Sequence, residues 1–339
     1  DVLAHKGYSL SPDDRSACLI AILLHDLGHA PFSHALEGFL VQDMPHEDIS
    51  LLMMQDLNRW CDGELETTLD VFRGTHELPF LHELVSSQLD MDRLDYLNRD
   101  SFFTGVTEGI IGVDRILQML DVHQGRLVVE RKGIYSIEKY LMARYLMYWQ
   151  VYLHKTVLSA EYLMGHIMNR ARRVLEQGLD LFVSPDLGLF LRQPVRGDEF
   201  RSNPELREAY ARLDDSEIMV HVKTWARRSE PILEHLSQQL MTRRLAAVDW
   251  SSEPVSLDTV QGLAQEEAHR LGLGEEALAY LAHCRPVRKA VYSGAESPIL
   301  IKDRQGVVSP LDALSDHIQV VDLHSKHERY ALYRPKNRP

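Results

Sequence analysis

The chain has 339 residues, 45% apolar and 26% charged, a globular composition long enough for a substantial core, which excludes disordered and fibrous classes. No run approaches the roughly 18 consecutive apolar residues of a membrane-spanning helix and no basic-then-apolar leader opens the chain, so a soluble, cytoplasmic protein is expected, with no membrane partner. A net charge of −13 disfavours broad nucleic-acid binding, and three scattered cysteines (Cys18, Cys61, Cys284) are too few for a disulfide framework, which leaves 17 histidines as the feature to follow.

Pro12-Asp13-Asp14 is a start signal for the first complete helix. Residues 17–24 are apolar all round, which predicts a helix buried in the middle of a bundle. It runs into Leu23-Leu24-His25-Asp26-Leu27-Gly28-His29-Ala30-Pro31-Phe32-Ser33-His34, and with His46 four histidines cluster around a Gly-Pro bend. A carboxylate and an imidazole at the end of a buried run are costly without a partner, and a divalent cation is the most economical one. Adjacent helical residues diverge by about 100°, so His25 and Asp26 can share a cation only in a crevice beside the helix terminus.

Further along, Asp92, Tyr96 and Asp100 are spaced i, i+4, i+8 and line one stripe of a helix, while Asp95 and Arg99 point elsewhere and read as a solvated ion pair. Residues 125–136 read as a hairpin turning around Arg131-Lys132-Gly133. A long helix is predicted over 137–176, on which Arg144, Tyr148 and Tyr152 repeat the same stripe; on spacing alone such a stripe reads as core. Residues 14–240 are mostly helical in pattern. From about residue 271 the texture changes, with strand-like 287–292, 298–302 and 330–333 and a short helix opened by Ser309-Pro310. The expectation is a mainly α protein, with a helical body over 1–270 and a small C-terminal α+β appendage over 271–339.

The run around His25-Asp26 resembles the central motif of the HD-domain metal-dependent phosphohydrolases, specifically the branch containing the dNTP triphosphohydrolases and the sterile-alpha-motif/HD dNTPase. Three further blocks follow in the family's order: Pro45-His46-Glu47, Gln88-Leu89-Asp90-Met91-Asp92-Arg93-Leu94-Asp95-Tyr96-Leu97-Asn98-Arg99-Asp100, and Tyr152-Leu153-His154-Lys155-Thr156-Val157. The resemblance covers about residues 14–165 and extends to the strand-rich tail. It implies an HD-domain helical bundle and a divalent metal ion (Mn, Fe, Mg, Ni or Zn) on His25, Asp26 and Asp92. The family's first metal-binding His lies on the preceding helix; His5 is the sole candidate here, and the expectation is that this ligand precedes the given chain.

The same resemblance assigns Arg93 to the triphosphate, Tyr96 and Asp100 to the deoxyribose, Arg144 to the γ-phosphate and Tyr152 to the sugar or base, with Tyr148 on the same stripe. His154 and Lys155 are secondary. His34 stands nearest the leaving group, with His29 and His46 supporting; the bland alternative for His46 is a residue opening a helix. The implied reaction is attack of metal-bound water on a nucleotide, releasing deoxynucleoside and triphosphate from a dNTP. A homo-oligomer is implied as well, and a nucleotide effector is known among relatives. The alternatives are a phosphomonoesterase or phosphodiesterase acting on another nucleotide, and a non-catalytic nucleotide-binding or sensing protein with a degenerate site.

Overall fold

The computed structural model describes residues 2–227, 229–289, 292, 297–315 and 327–336. It is mainly α, 60% helical with only small sheets. The helix Pro12–Leu24 starts as its sequence dictates: the Ser11 side chain accepts from the Asp14 amide at 3.0 Å, Pro12 occupies the first turn, and Asp13 and Asp14 face the positive end of the helix dipole. The helix Met91–Thr104 is capped by Asp90, which accepts from the Arg93 amide at 2.7 Å, and it ends at Gly105, whose φ of +73° suits glycine.

The chain divides into two compact units, Asp1–Leu27, Ser50–Leu153 and Lys289–His327 in the first, and Gly28–Ile49, His154–Arg288 and Glu328–Pro339 in the second. The residues from 271 onward are therefore shared between them. In the first unit Ala17, Ala21, Leu81, Leu94, Leu97, Leu141 and Met147 form part of one buried cluster. Its sheet pairs Leu120–His123 antiparallel with Arg126–Glu130, which runs parallel to Leu300–Lys302, itself antiparallel to Val308–Pro310. The second unit buries Trp225, Phe190, Phe200 and the Ile167/Met168/Ala171 face of the helix Lys155–Glu176. It also holds a parallel pair, Val41–Gln42 with Val195–Arg196, and a sheet ordered Ala247–Ser251, His327–Arg334, His283–Lys289. No described helix is long and apolar enough to cross a membrane.

Five local expectations need correction. The hairpin turns at Gln124-Gly125, both at positive φ (+51° and +78°), and Arg131–Gly133 is a 3-10 turn after the second strand. Two successive positive-φ residues match the twist of a tight hairpin, and the pair at 124–125 supplies them. The long helix over 137–176 is two helices, Ile134–Met147 and Lys155–Glu176, separated by a π-turn at Tyr148–Tyr152. The helix Pro12–Leu24 buries only Ala17 and Ala21 fully, and Leu19 and Leu23 are 60% and 76% exposed. The strand expected over 287–292 begins at His283, with residues 290 and 291 outside the described residues, and Ser309 and Pro310 end a strand before the 3-10 turn Leu311–Ala313.

Candidate functional site

In the first unit, His25 caps the C-terminus of the helix Pro12–Leu24. Its Nδ1 lies 2.6 Å from the Ile22 carbonyl, a contact it can make only as a donor, and its own carbonyl accepts from Ser50 Oγ at 2.6 Å. The ring is thereby fixed with Nε2 toward two carboxylates, 3.2 Å from Asp26 Oδ1 and 3.8 Å from Asp92 Oδ2. One nitrogen and two carboxylate oxygens thus lie within 4.8 Å of one another. The Asp92 carboxylate raises the His25 pKa to about 9 against the opposing effect of burial, with Asp26 and the Ile22 carbonyl adding to it. The two carboxylates pull a positive charge onto Nε2. A divalent cation satisfies the same field, and an imidazole whose Nδ1 proton is held by a backbone carbonyl is oriented as a metal ligand usually is. The donor set fits such an ion. His5, on the helix Val2–His5, is not among the residues that form this group.

The helix Met91–Thr104 carries Asp92, Tyr96 and Asp100 along one stripe. Tyr152 donates to Asp100 Oδ2 at 2.6 Å, and its ring meets Tyr96 edge-on at 6.1 Å and Tyr148 at 5.3 Å. Burial, then the neighbouring Tyr148 hydroxyl, pushes the Tyr96 phenol up to about 12, so it stays a neutral donor. Arg93 Nε donates to the Ser87 carbonyl at 2.8 Å and to Asp90 Oδ2 at 2.9 Å, which leaves its Nη atoms without a hydrogen bond among the described residues. Arg144 is 5% exposed and lies 5.9 Å from the Tyr148 ring centre. Its Nη1 donates to Gln88 Oε1 at 3.1 Å, its buried Nε has no hydrogen-bond partner, and it makes no ion pair among the described residues. A buried guanidinium without a carboxylate is poised for an anion. The structure thus gathers Tyr96, Asp100, Arg144, Tyr148 and Tyr152, although the π-turn takes Tyr148 and Tyr152 out of α-helical register. Asp95 and Arg99 form an exposed pair at 2.7 Å.

In the second unit, His29, His34 and His46 cluster. His29 stacks on His46 with ring centres 4.0 Å apart and meets His34 edge-on at 4.9 Å. Glu37 binds two of the rings, with Oε2 2.7 Å from His34 Nδ1 and Oε1 2.7 Å from His46 Nδ1. Partial burial raises the Glu37 pKa, but the hydrogen bonds from His46 and His34 outweigh it and bring it down to about 2. Phe32 and Ser33 both adopt positive φ, +58° and +47°, to turn the chain between His29 and His34. A bulky residue is held there at a cost of about 1–2 kcal/mol, and the Phe32 amide is secured by Asp215 Oδ1 at 2.8 Å. His46 is also the first residue of the helix His46–Trp60, the position its bland reading gave it. His154 caps the helix Lys155–Glu176, its Nδ1 accepting from the Thr156 amide at 3.2 Å, and Lys155 is exposed.

The sequence did not reveal Glu37, Gln88 and Asp90 as holders of candidate site side chains. The spacing of Glu37, three residues after His34, was the available signal.

A solved phosphohydrolase from Bacteroides thetaiotaomicron has the same fold over 99% of this chain and 83% of its own, with a TM-score of 0.93 and 41% sequence identity. The chain belongs to the HD-domain phosphohydrolases. The HD associated region, a family model, matches residues 111–178 of this HD protein. An uncharacterized protein of Bacillus subtilis, YwfO, is 34% identical over 68% of this chain and 53% of its own length. The deoxynucleoside triphosphate triphosphohydrolase SAMHD1 homolog of Dictyostelium discoideum is 29% identical over 46% of this chain and 34% of its own. This HD-domain chain therefore spans about half the length of the first of these relatives and a third of the second.

Proposed function

We propose that this protein is a metal-dependent nucleotide phosphohydrolase, and specifically a dNTP triphosphohydrolase that releases deoxynucleoside and triphosphate. The observation that carries the reading is the first unit's combination of a His25/Asp26/Asp92 donor group with a buried Arg144 that makes no ion pair among the described residues and the Tyr152–Asp100 pair. The similarity to the Dictyostelium triphosphohydrolase supports the substrate class. A phosphomonoesterase needs the donor group but has no evident use for a second cationic residue and a sugar-directed carboxylate.

Held by His25, Asp26 and Asp92, a divalent ion would polarise a phosphoryl oxygen and make water more acidic. Arg93 and Arg144 would each bring a guanidinium to the triphosphate chain, the planar donor that matches phosphate oxygens best. Asp100, oriented by the Tyr152 hydroxyl, accepts from a sugar hydroxyl, and Tyr96 contributes an aromatic edge. Hydrolysis transfers the water oxygen to the α-phosphorus, breaks the bond from that phosphorus to the 5′ oxygen and returns a proton to that oxygen. The family resemblance, and not the arrangement of the two units, assigns this proton to His34, with His29 and His46 supporting. Glu37 holds Nδ1 of His34 and thereby sets which nitrogen remains for proton transfer.

The test is incubation of the purified protein with each dNTP and Mn²⁺ or Mg²⁺ while inorganic triphosphate is followed. Triphosphate release that disappears in His25→Ala supports the reading. Failure to hydrolyse any nucleotide with metal demonstrably bound would sink it, and release of orthophosphate alone would replace it with a phosphatase.

A further inference from the structure

In the second unit, a cavity of about 410 Å³ lies beside the helix Lys155–Glu176, lined in part by His166, Asn169, Arg172, Arg173, Glu176 and Tyr280. That volume falls in the range of small-molecule sites and is far larger than one water needs. Two buried arginines on the helix contrast sharply in their compensation. Arg170 is ion-paired with Glu230 at 2.9 Å and with Glu276 at 2.8 Å. Arg172 is only 9% exposed and has no ion pair among the described residues. Its Nη2 donates to the carbonyls of Phe39 and Phe190 at 3.1 and 3.2 Å, its guanidinium lies 4.2 Å over the Phe39 ring, and its buried Nε has no hydrogen-bond partner. Burial holds its pKa below the usual arginine value, the signature of a cation short of compensation.

The rest of the wall is donor-rich. The carboxylate in the lining, Glu176, lies 3.8 Å from Arg173 and its charge offsets only part of the burial of Arg172, with which it forms no ion pair, so the wall holds two cations and one anion. The side chain of Asn169 makes no hydrogen bond among the described residues. His166 Nε2 is buried without a hydrogen-bond partner, and Tyr280 adds an aromatic ring 5.2 Å from the His166 ring. Several donors around one buried guanidinium suit a group with three or more acceptor oxygens better than a two-oxygen carboxylate. The space beyond that guanidinium exceeds what a free oxyanion fills.

We propose that this cavity is a second ligand site, which binds a small phosphate ester with its phosphate on Arg172 and its organic part against His166 and Tyr280. The site lies on residues that the hydrolytic reading does not use, so either can fail without the other.

Isothermal titration calorimetry on the full chain in excess chelator tests it, with ribose 5-phosphate and AMP as probes and ribose and orthophosphate as controls. At least one ester is expected to bind saturably, orthophosphate at least tenfold more weakly and ribose not at all. Arg172→Gln is expected to weaken the ester at least tenfold. Because that variant loses two buried carbonyl contacts and can misfold, Ala279→Trp is the second variant. Ala279 is an exposed wall residue, so tryptophan there fills the cavity while Arg172 stays intact, and the same loss is expected. Binding unchanged in Ala279→Trp, or no saturable heat with either ester, overturns the proposal. Loss of the heat in Asp92→Ala reassigns it to the His25 group and overturns it too. Orthophosphate binding as tightly as the esters overturns the ester assignment.

Discussion

The Tyr152 hydroxyl donates to Asp100 Oδ2 at 2.6 Å, joining a π-turn to the stripe that also carries Asp92. Burial and the Asp100 charge both push the phenol up, so Tyr152 stays a donor across the working pH range. A hydrogen bond to a charged group contributes about 1.5–3 kcal/mol. Tyr152→Phe is therefore expected to raise KM for a dNTP roughly tenfold, since about 1.4 kcal/mol is a factor of ten, with a smaller effect on kcat because the proposed function places the pair on the sugar and not on the phosphorus. Urea unfolding of Tyr152→Phe, Asp100→Asn and the double variant should give a coupling energy of about 1 kcal/mol or more. Strict additivity would show that the pair does not act as a unit.

The Asp92/Tyr96/Asp100 stripe was legible because it lies on one regular helix, where spacing alone fixes the face. The fold class was legible for the same reason. The Arg144/Tyr148/Tyr152 stripe was legible only in part: Tyr148-Trp149-Gln150-Val151-Tyr152 contains no Gly or Pro, so nothing in the pattern marks the π-turn that shifts its last residues. Glu37 was hidden because a lone acid in a loop has no periodicity, and its role depends on a chain reversal at Phe32-Ser33 that demands positive φ from residues that rarely adopt it. Leu19 and Leu23 misled in the other direction, since an apolar helix sequence states what burial would favour and not what the rest of the fold provides.

Metal removal separates the donor group from its surroundings. The native protein is expected to hold a divalent ion measurable by elemental analysis, and His25→Ala or Asp92→Ala to lose the ion and nucleotide hydrolysis together. An ion at about 100 times its Kd adds roughly 2.7 kcal/mol of stability, so chelation should lower the melting temperature of the native protein and leave the variants unmoved. A variant that keeps both its ion and its activity would place the metal elsewhere.

Glu37 supplies a pH signature. Its carboxyl pKa falls from an ordinary 4.5 to about 2 on folding, so its contribution to stability is complete above pH 4.5 and is lost as pH falls from there through about 2. Glu37→Gln should be less stable than the parent at pH 6, with the difference shrinking on acidification across that window. The same variant should lower kcat more than it raises KM, because Glu37 orients His34 and His46 without being assigned any contact with substrate. His34→Ala, which removes the assigned proton donor, should cost about 10²–10⁴-fold in kcat. An intact kcat in His34→Ala would remove the histidine cluster from the chemistry.

Asp90 links stability to the phosphate contact proposed for Arg93. Only 4% exposed, it caps the helix Met91–Thr104 through the Arg93 amide, accepts from the Ser87 amide at 3.1 Å and pairs with Arg93 Nε at 2.9 Å. Asp90→Ala removes the cap and leaves a guanidinium half-buried without its anion, a loss of about 3 kcal/mol or more. Asp90→Asn retains a good capping oxygen and should recover about 1 kcal/mol of that, which urea midpoints with unchanged m-values would register. The two variants should part company in stability and agree in function: with no anion on Nε, Arg93 keeps only the Ser87 carbonyl in both, and KM for a triphosphate substrate should rise in both alike. A parent-like KM in Asp90→Asn would show that Arg93 is held by the Ser87 carbonyl alone, and a cost below about 1 kcal/mol for Asp90→Ala would show that neither the cap nor the pair secures this helix.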